Sequence, residues 1–124
     1  MKRNIRIAVT GGRNFNNTDL VKSAFQFSPD DNITIVHGGC RGADLLCKQI
    51  AENLGLKTEE WPADWKSYGK AAGPIRNLQM LKSGIDILYV FPGGRGTQNC
   101  YNQALKLGIP IKDFRKGNNG KEEY

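Results

Sequence analysis

Three short segments of this 124-residue chain set paired glycines beside arginine: Gly11-Gly12-Arg13, Gly38-Gly39-Cys40-Arg41-Gly42 and Gly93-Gly94-Arg95-Gly96-Thr97. Glycine permits the positive φ angles of tight turns and lets an anion approach backbone N–H groups that a Cβ would screen. Guanidinium groups grip phosphate through bidentate hydrogen bonds. Arg13, Arg41, Arg76 and Arg95 lie in or beside these loops, and they are four of the seven arginines in the chain. The chemistry that these residue types support together is recognition of phosphate.

Other residues have narrower claims. Asp44 follows Gly42 by two positions, in the first turn of a predicted helix, where it either binds a ribose hydroxyl or complements the helix dipole. Trp61, Trp65 and Tyr68 can stack on a base or pack as a lid or core edge. Asp64 is placed to orient a ligand or a water. Cys100 lies one helical turn beyond Gly96, where a helix dipole lowers a thiol pKa, although a small packing residue is the simpler reading. His37 stands at a strand end in a structural position. One histidine and three cysteines without CxxC spacing (Cys40, Cys47, Cys100) do not make a typical zinc site. No metal and no cofactor are expected, and the cysteines read as reduced thiols of a cytoplasmic protein.

The elements that must position these loops follow from the apolar pattern. Ile5 to Thr10 reads as a buried strand ending at Gly11-Gly12. Asp19 to Phe27 reads as a helix capped by Thr18 or Asp19. Ile33 to Val36 is a second strand, ending at Gly38-Gly39. Gly42 to Leu54 is a helix with Leu45, Leu46, Ile50 and Leu54 on its apolar face, stopped by Gly55. Lys57 to Trp61 is a weaker strand. A loop rich in Ala, Trp and Gly leads to a helix with Pro74 in its first turn, running to Ser83. Ile85 to Phe91 is the most apolar strand, Thr97 to Leu107 a helix stopped by Gly108, and Ile109 to Ile111 begins a fifth strand. Alternation of this kind predicts an α/β fold: an open parallel sheet of about five strands with helices on both faces. The strand ends then share one edge, where ligands of such sheets bind near the topological switch point. Residues 1–115 make a single domain, followed by a polar tail over 116–124.

Composition bounds the partners. The formal net charge of +6 favours anions. No run approaches the ~18 apolar residues of a membrane span, and the N-terminus lacks the apolar core of a signal peptide. Neither a lysine-rich run nor an extended basic stretch favours a nucleic-acid strand.

The motifs Val9-Thr10-Gly11-Gly12-Arg13, His37-Gly38-Gly39-Cys40-Arg41-Gly42-Ala43-Asp44, Pro62-Ala63-Asp64-Trp65, Ala72-Gly73-Pro74-Ile75-Arg76-Asn77 and Phe91-Pro92-Gly93-Gly94-Arg95-Gly96-Thr97 occur in this order. Together they resemble the SLOG superfamily, in particular its small YspA/YpsA-related branch. The resemblance implies a Rossmann-like fold that binds nucleotides or nucleotide-derived molecules, with Trp65, Asn77 and Pro92 joining the glycines, arginines and Thr97 as ligand-binding residues. It also implies a homodimer, which the apolar faces permit. More distantly the chain is similar to the LONELY GUY phosphoribohydrolases, whose signature is PGGxGTxxE with an arginine from an RxxxM-like helix. Arg76 and Met80 fit that arginine segment, and Pro92 to Thr97 fit the phosphate loop. The glutamate position holds Cys100, a side chain that cannot stabilise an oxocarbenium-like centre.

The expectation is therefore a sensor or binding module for an ADP-ribose-like or cyclic nucleotide ligand. The alternatives are an N-glycosidase acting on nucleoside 5′-monophosphates, with Asp64 or Asp44 as carboxylate and Arg76 as anchor, and a single-stranded nucleic-acid binder.

Overall fold

A computed structural model describes residues 2–115. The tail expected over 116–124 lies outside the described residues. Strands and helices alternate as β1 (Arg3–Thr10), α1 (Thr18–Ala24), β2 (Asp31–His37), α2 (Ala43–Asn53), β3 (Lys57–Glu60), α3 (Trp65–Tyr68), α4 (Ala72–Leu81), β4 (Ile87–Val90), α5 (Arg95–Leu107) and β5 (Ile111–Asp113), with a 3₁₀ turn at Gly69–Ala71. The strands form one parallel sheet in the order β3-β2-β1-β4-β5, with Ile7 in register with Ile35 on one side and Ile87 on the other. This is the expected Rossmann-like architecture. The chain winds outward from β1 through β2 to β3, then returns to the other side as β4, so the switch point falls between β1 and β4.

Near-continuous apolar runs mark the three inner strands, β2, β1 and β4, because both faces of the sheet are covered there. Ile7, Val9, Ile33, Ile35, Tyr89 and Phe91 pack beneath α1 and α2. Ala8, Val36, Leu88 and Val90 pack beneath α4 and α5, against Met80, Leu81, Cys100 and Ala104. Among the described residues, no helix is long and apolar enough to cross a membrane.

Four local expectations need correction. The first helix stops at Ala24 rather than Phe27 and is capped by Asn17, whose Oδ1 accepts from the Leu20 N–H at 3.1 Å. Leaving the helix lets the Phe25 and Phe27 rings meet, 5.7 Å apart. The buried face of α2 is Ala43, Cys47, Ile50 and Ala51, whereas Leu45 and Leu54 are 44% and 54% exposed. Small residues at positions 43, 47 and 51 let the helix lie close to the sheet, which turns the leucines outward. The final strand begins at Ile111, and α5 begins two residues earlier than expected, at Arg95.

The loops after β1 and β4 pack backbone to backbone. The Gly12 N–H donates to the Pro92 carbonyl at 2.8 Å. A Cβ on Gly93 would stand 2.6 Å from Gly12 N and 2.1 Å from Thr97 Oγ1. Gly42 has φ +84°, and a Cβ there would meet the Gly12 carbonyl oxygen at 2.2 Å. Three glycine loops thus form one contiguous edge above the switch point.

Candidate functional site

Above that edge lies a cleft of about 610 Å³, bounded by Thr10, Gly11, Gly12 and Arg13 after β1, by Gly38, Cys40 and Asp44 after β2, and by Gly94, Arg95, Gly96, Thr97 and Asn99 at the start of α5. Trp65, Lys70, Gly73, Pro74, Arg76, Asn77 and Met80 close it from the α3–α4 side. A smaller compartment of about 370 Å³ adjoins it and contains Gly39, Arg41, Glu60, Pro62 and Ala63.

The glycine loops are not equivalent. In the loop after β2 the N–H groups turn inward: Gly38 and Cys40 donate to Asp44 Oδ2 at 3.0 and 3.2 Å, and Gly39 donates to His37 Nδ1 at 3.0 Å. At the start of α2, Ala43 donates to the Gly12 carbonyl and Leu45 to the Cys40 carbonyl. This loop was expected to cradle phosphate with its backbone, but those donors are already engaged. The start of α5 differs. Gly94 supplies no side-chain cap, and the first N–H groups of a helix have no partner within it. Gly94, Arg95, Gly96 and Thr97 line the cleft at the positive end of this 13-residue helix.

Arg76 is buried, with 9% of its surface exposed, on the wall opposite that terminus. Its Nη1 donates to the carbonyls of Gly38 (3.0 Å) and Trp61 (3.1 Å), and its Nε donates to Asn77 Oδ1 (3.0 Å). Nη2 has only a 4.0 Å contact with Cys40 Sγ. Among the described residues no carboxylate forms an ion pair with Arg76. Asn77 in turn donates to Asn99 Oδ1 at 3.0 Å, which fixes α4 against the first turns of α5.

Asp44 neither faces solvent nor simply complements a helix dipole. Burial pushes its carboxyl up to about 6, opposed by the Cys40 N–H, the Arg76 charge and the Gly38 N–H. His37 is fully buried, and burial lowers its pKa, so the ring is neutral and, with Nδ1 accepting, carries its proton on Nε2. Nε2 has no partner among the described residues. Cys100 lies under the cleft floor with no exposure, and burial raises its thiol to about 12, against the lowering expected from the helix dipole. Desolvation outweighs the dipole there.

The remaining expected residues sort by position. Asp64 caps α3, accepting from the Ser67 N–H at 3.1 Å, and is not part of the cleft wall. Trp61 packs against the core and donates to Glu59 at 2.7 Å, which removes it as a base-stacking surface. Trp65 borders both compartments and is 48% exposed, whereas Tyr68 borders neither. Pro92, Gly93 and Gly42 shape the loops from beneath. Sequence reasoning passed over Cys40, Lys70 and Asn99. Cys40 was visible as the residue inside the second glycine loop, and Asn99 as the residue one turn along α5 from Gly96.

Cys40 gives the cleft a chemical reporter. It is half-buried, whereas Cys47 and Cys100 are buried. A thiol reagent on the folded protein is expected to label one cysteine, Cys40, and to label three only after unfolding in urea. Labelling of two or more cysteines at native rates would contradict this burial pattern.

The family comparison meets this geometry at the same loops. The model of the YspA, cpYpsA-related SLOG family matches residues 5–68, which include the first two glycine loops, Asp44 and Trp65. The chain belongs to this SLOG family. It is also 36% identical over 120 residues to the Gene 61 protein of Mycobacterium phage D29, an alignment that covers 88% of this chain and 95% of the phage protein. Its fold is similar to the crystal structure of UDP-N-acetylglucosamine 2-epimerase, with a TM-score of 0.56 at 15% identity. That match covers 91% of this chain and 33% of the larger protein, so the chain spans about a third of it. For the SLOG chain this likeness concerns the α/β fold, and membership places it among folds that hold nucleotide-related ligands.

Proposed function

We propose that this chain is a binding module or sensor for a nucleotide-derived small molecule, whose phosphate sits between the start of α5 and Arg76. The observation that carries the reading is Gly96. It occupies the first turn of α5 without positive φ, and a Cβ added there would meet nothing within 4 Å. Glycine in a helix costs about 0.5–1 kcal/mol relative to alanine, and neither crowding nor backbone geometry asks for it here. An anion drawn against the N–H groups does. Arg76, a buried guanidinium with only neutral hydrogen-bond partners, supplies the opposing charge, because buried charges are ordinarily paired.

Binding fits the site better than cleavage. Cys100 and Asp64 both lie off the cleft surface, and Asp44, the carboxylate that lines the larger cleft among the described residues, uses one oxygen to hold the loop after β2. The basic groups ring one concave cleft, a shape suited to a small molecule rather than to a strand of nucleic acid.

The test is Gly96→Ala. The variant is expected to unfold a few degrees higher than wild type, gaining about 0.5–1 kcal/mol, while its affinity for AMP falls about tenfold. Wild type should be stabilised by AMP and not by adenosine, by about 2.7 kcal/mol when ligand reaches ~100 times Kd. A Gly96→Ala protein that is more stable and binds AMP as wild type does would remove the phosphate from α5.

A further inference from the structure

A row of side-chain amides joins Arg76 to the first turns of α5. Arg76 Nε donates to Asn77 Oδ1 at 3.0 Å. Asn77 Nδ2 donates to Asn99 Oδ1 at 3.0 Å and reaches the Gly96 carbonyl at 3.4 Å. From the other end, Gln103 Nε2 donates to Asn99 Oδ1 at 2.7 Å and to the Pro74 carbonyl at 3.1 Å. Asn77 is buried, and Asn99 is half-buried in the cleft wall.

This row has a fixed polarity. A side-chain amide can in general be turned end for end, which exchanges its donor for its acceptor. Here neither end of the row allows it. A guanidinium only donates, so Asn77 turns its oxygen to Arg76 and its nitrogen to Asn99. A backbone carbonyl only accepts, so Gln103 turns its nitrogen to Pro74 and, with it, to Asn99. Both constraints require the same of Asn99: its oxygen faces inward, taken by two donors. The group it has left is Nδ2, which has no partner among the described residues and, unlike His37 Nε2, is not sealed from solvent. Side chains on a helix lean toward its N-terminus. The Asn99 amide therefore lies over the first turn of α5, beside Gly96, where a single Asn77 nitrogen touches both residues.

We infer that Asn99 is a third phosphate contact, its Nδ2 donating to an anionic oxygen held between the start of α5 and Arg76, and that Asn77 is the positioning residue that turns it outward. The inference rests on the phosphate site proposed above and adds to it a residue and its role. Asn77 itself is occupied at both ends by protein, so it acts on the ligand through Asn99 and Arg76 rather than by contact.

Two substitutions at one position separate contact from support. Asn99→Asp keeps an oxygen for Asn77 and Gln103 but replaces the outward nitrogen with a second oxygen. Asn99→Ala removes both groups. Calorimetric titration with AMP is expected to show about a tenfold loss for Asn99→Ala, the value of one hydrogen bond to a charged group, and about a hundredfold loss for Asn99→Asp. Thermal unfolding should give the opposite order, with Asn99→Asp close to wild type and Asn99→Ala lower. A supporting role alone predicts that the better-folded aspartate variant is also the better binder. Asn102→Asp controls for charge: it puts a carboxylate on the exposed part of the same helix, outside the cleft wall, and should keep AMP affinity within about threefold of wild type. Asn99→Asp binding AMP as tightly as Asn99→Ala, or more tightly, overturns the Asn99 contact and leaves the phosphate site standing. So does an equal loss in Asn102→Asp. A wild-type protein that does not bind AMP overturns the phosphate site and the Asn99 contact together.

Discussion

Arg76→Ala is expected to lose AMP binding by a hundredfold or more and to lower stability by about 3 kcal/mol, a fall of roughly 10 °C in Tm for a domain of this size. Both effects have one cause. The guanidinium ties the carbonyl of Gly38, at the end of β2, to that of Trp61, just after β3, and to the Asn77 amide on α4. Alanine leaves those acceptors without their donor, and hydrogen bonds from a charged donor contribute about 1.5–3 kcal/mol each. Water entering from the cleft offsets part of the loss. Arg76→Lys separates the two roles. An ammonium retains the charge but not the planar fork, so it cannot serve Gly38, Trp61 and Asn77 together. The lysine variant should recover part of the affinity and little of the stability. Thermal unfolding with and without AMP, on wild type and both variants, reads the outcome. If Arg76→Ala unfolds early yet binds AMP as wild type does, Arg76 is a clamp on the loops and not a ligand contact.

The sequence disclosed the architecture because its signals were local. β1, β2 and β4 are apolar runs closed by glycine or proline, and parallel pairing follows from the helices between the strands. The place of the site followed as well, since ligands of open sheets bind at the strand ends. Spacing could not disclose which N–H groups remain free. The loops after β2 and β4 look alike in sequence, and neither following helix has a side-chain cap, yet Asp44 and His37 engage the N–H groups of the first. That difference depends on a carboxylate folding back six residues, from Asp44 to Gly38, which periodicity does not encode. Helix faces were misjudged for a related reason. The leucines of α2 are its most apolar residues, but Ala43, Cys47 and Ala51 are the ones small enough for the distance between helix and sheet. Asp64 fell to local competition, since an Asp three residues before a free N–H at a helix start becomes a cap.

Asp44 makes the stability of the chain depend on pH in the direction opposite to ordinary acid unfolding. Its carboxyl titrates near 6 when folded, against 3.8 as an ordinary aspartate, chiefly because it is buried. A carboxyl with a raised folded pKa holds its proton more tightly in the native state. Its contribution to stability is therefore greatest below about pH 4, declines as pH rises through 6, and is least above that. The shift corresponds to about 3 kcal/mol across the window. Asp44→Asn cannot titrate, and its amide oxygen can still accept from the Gly38 or Cys40 N–H. The variant is expected to be about 2 kcal/mol more stable than wild type at pH 7.5, with the advantage vanishing near pH 4. Urea unfolding of both proteins at half-unit steps from pH 4 to 8 gives the difference curve, whose bend should fall near pH 6. A flat curve would mean that the Cys40 and Gly38 N–H groups and the Arg76 charge cancel desolvation, and a curve of opposite slope that they outweigh it. A bend near pH 6 would mean that the loop after β2 is held at neutral pH by a carboxylate that destabilises the fold.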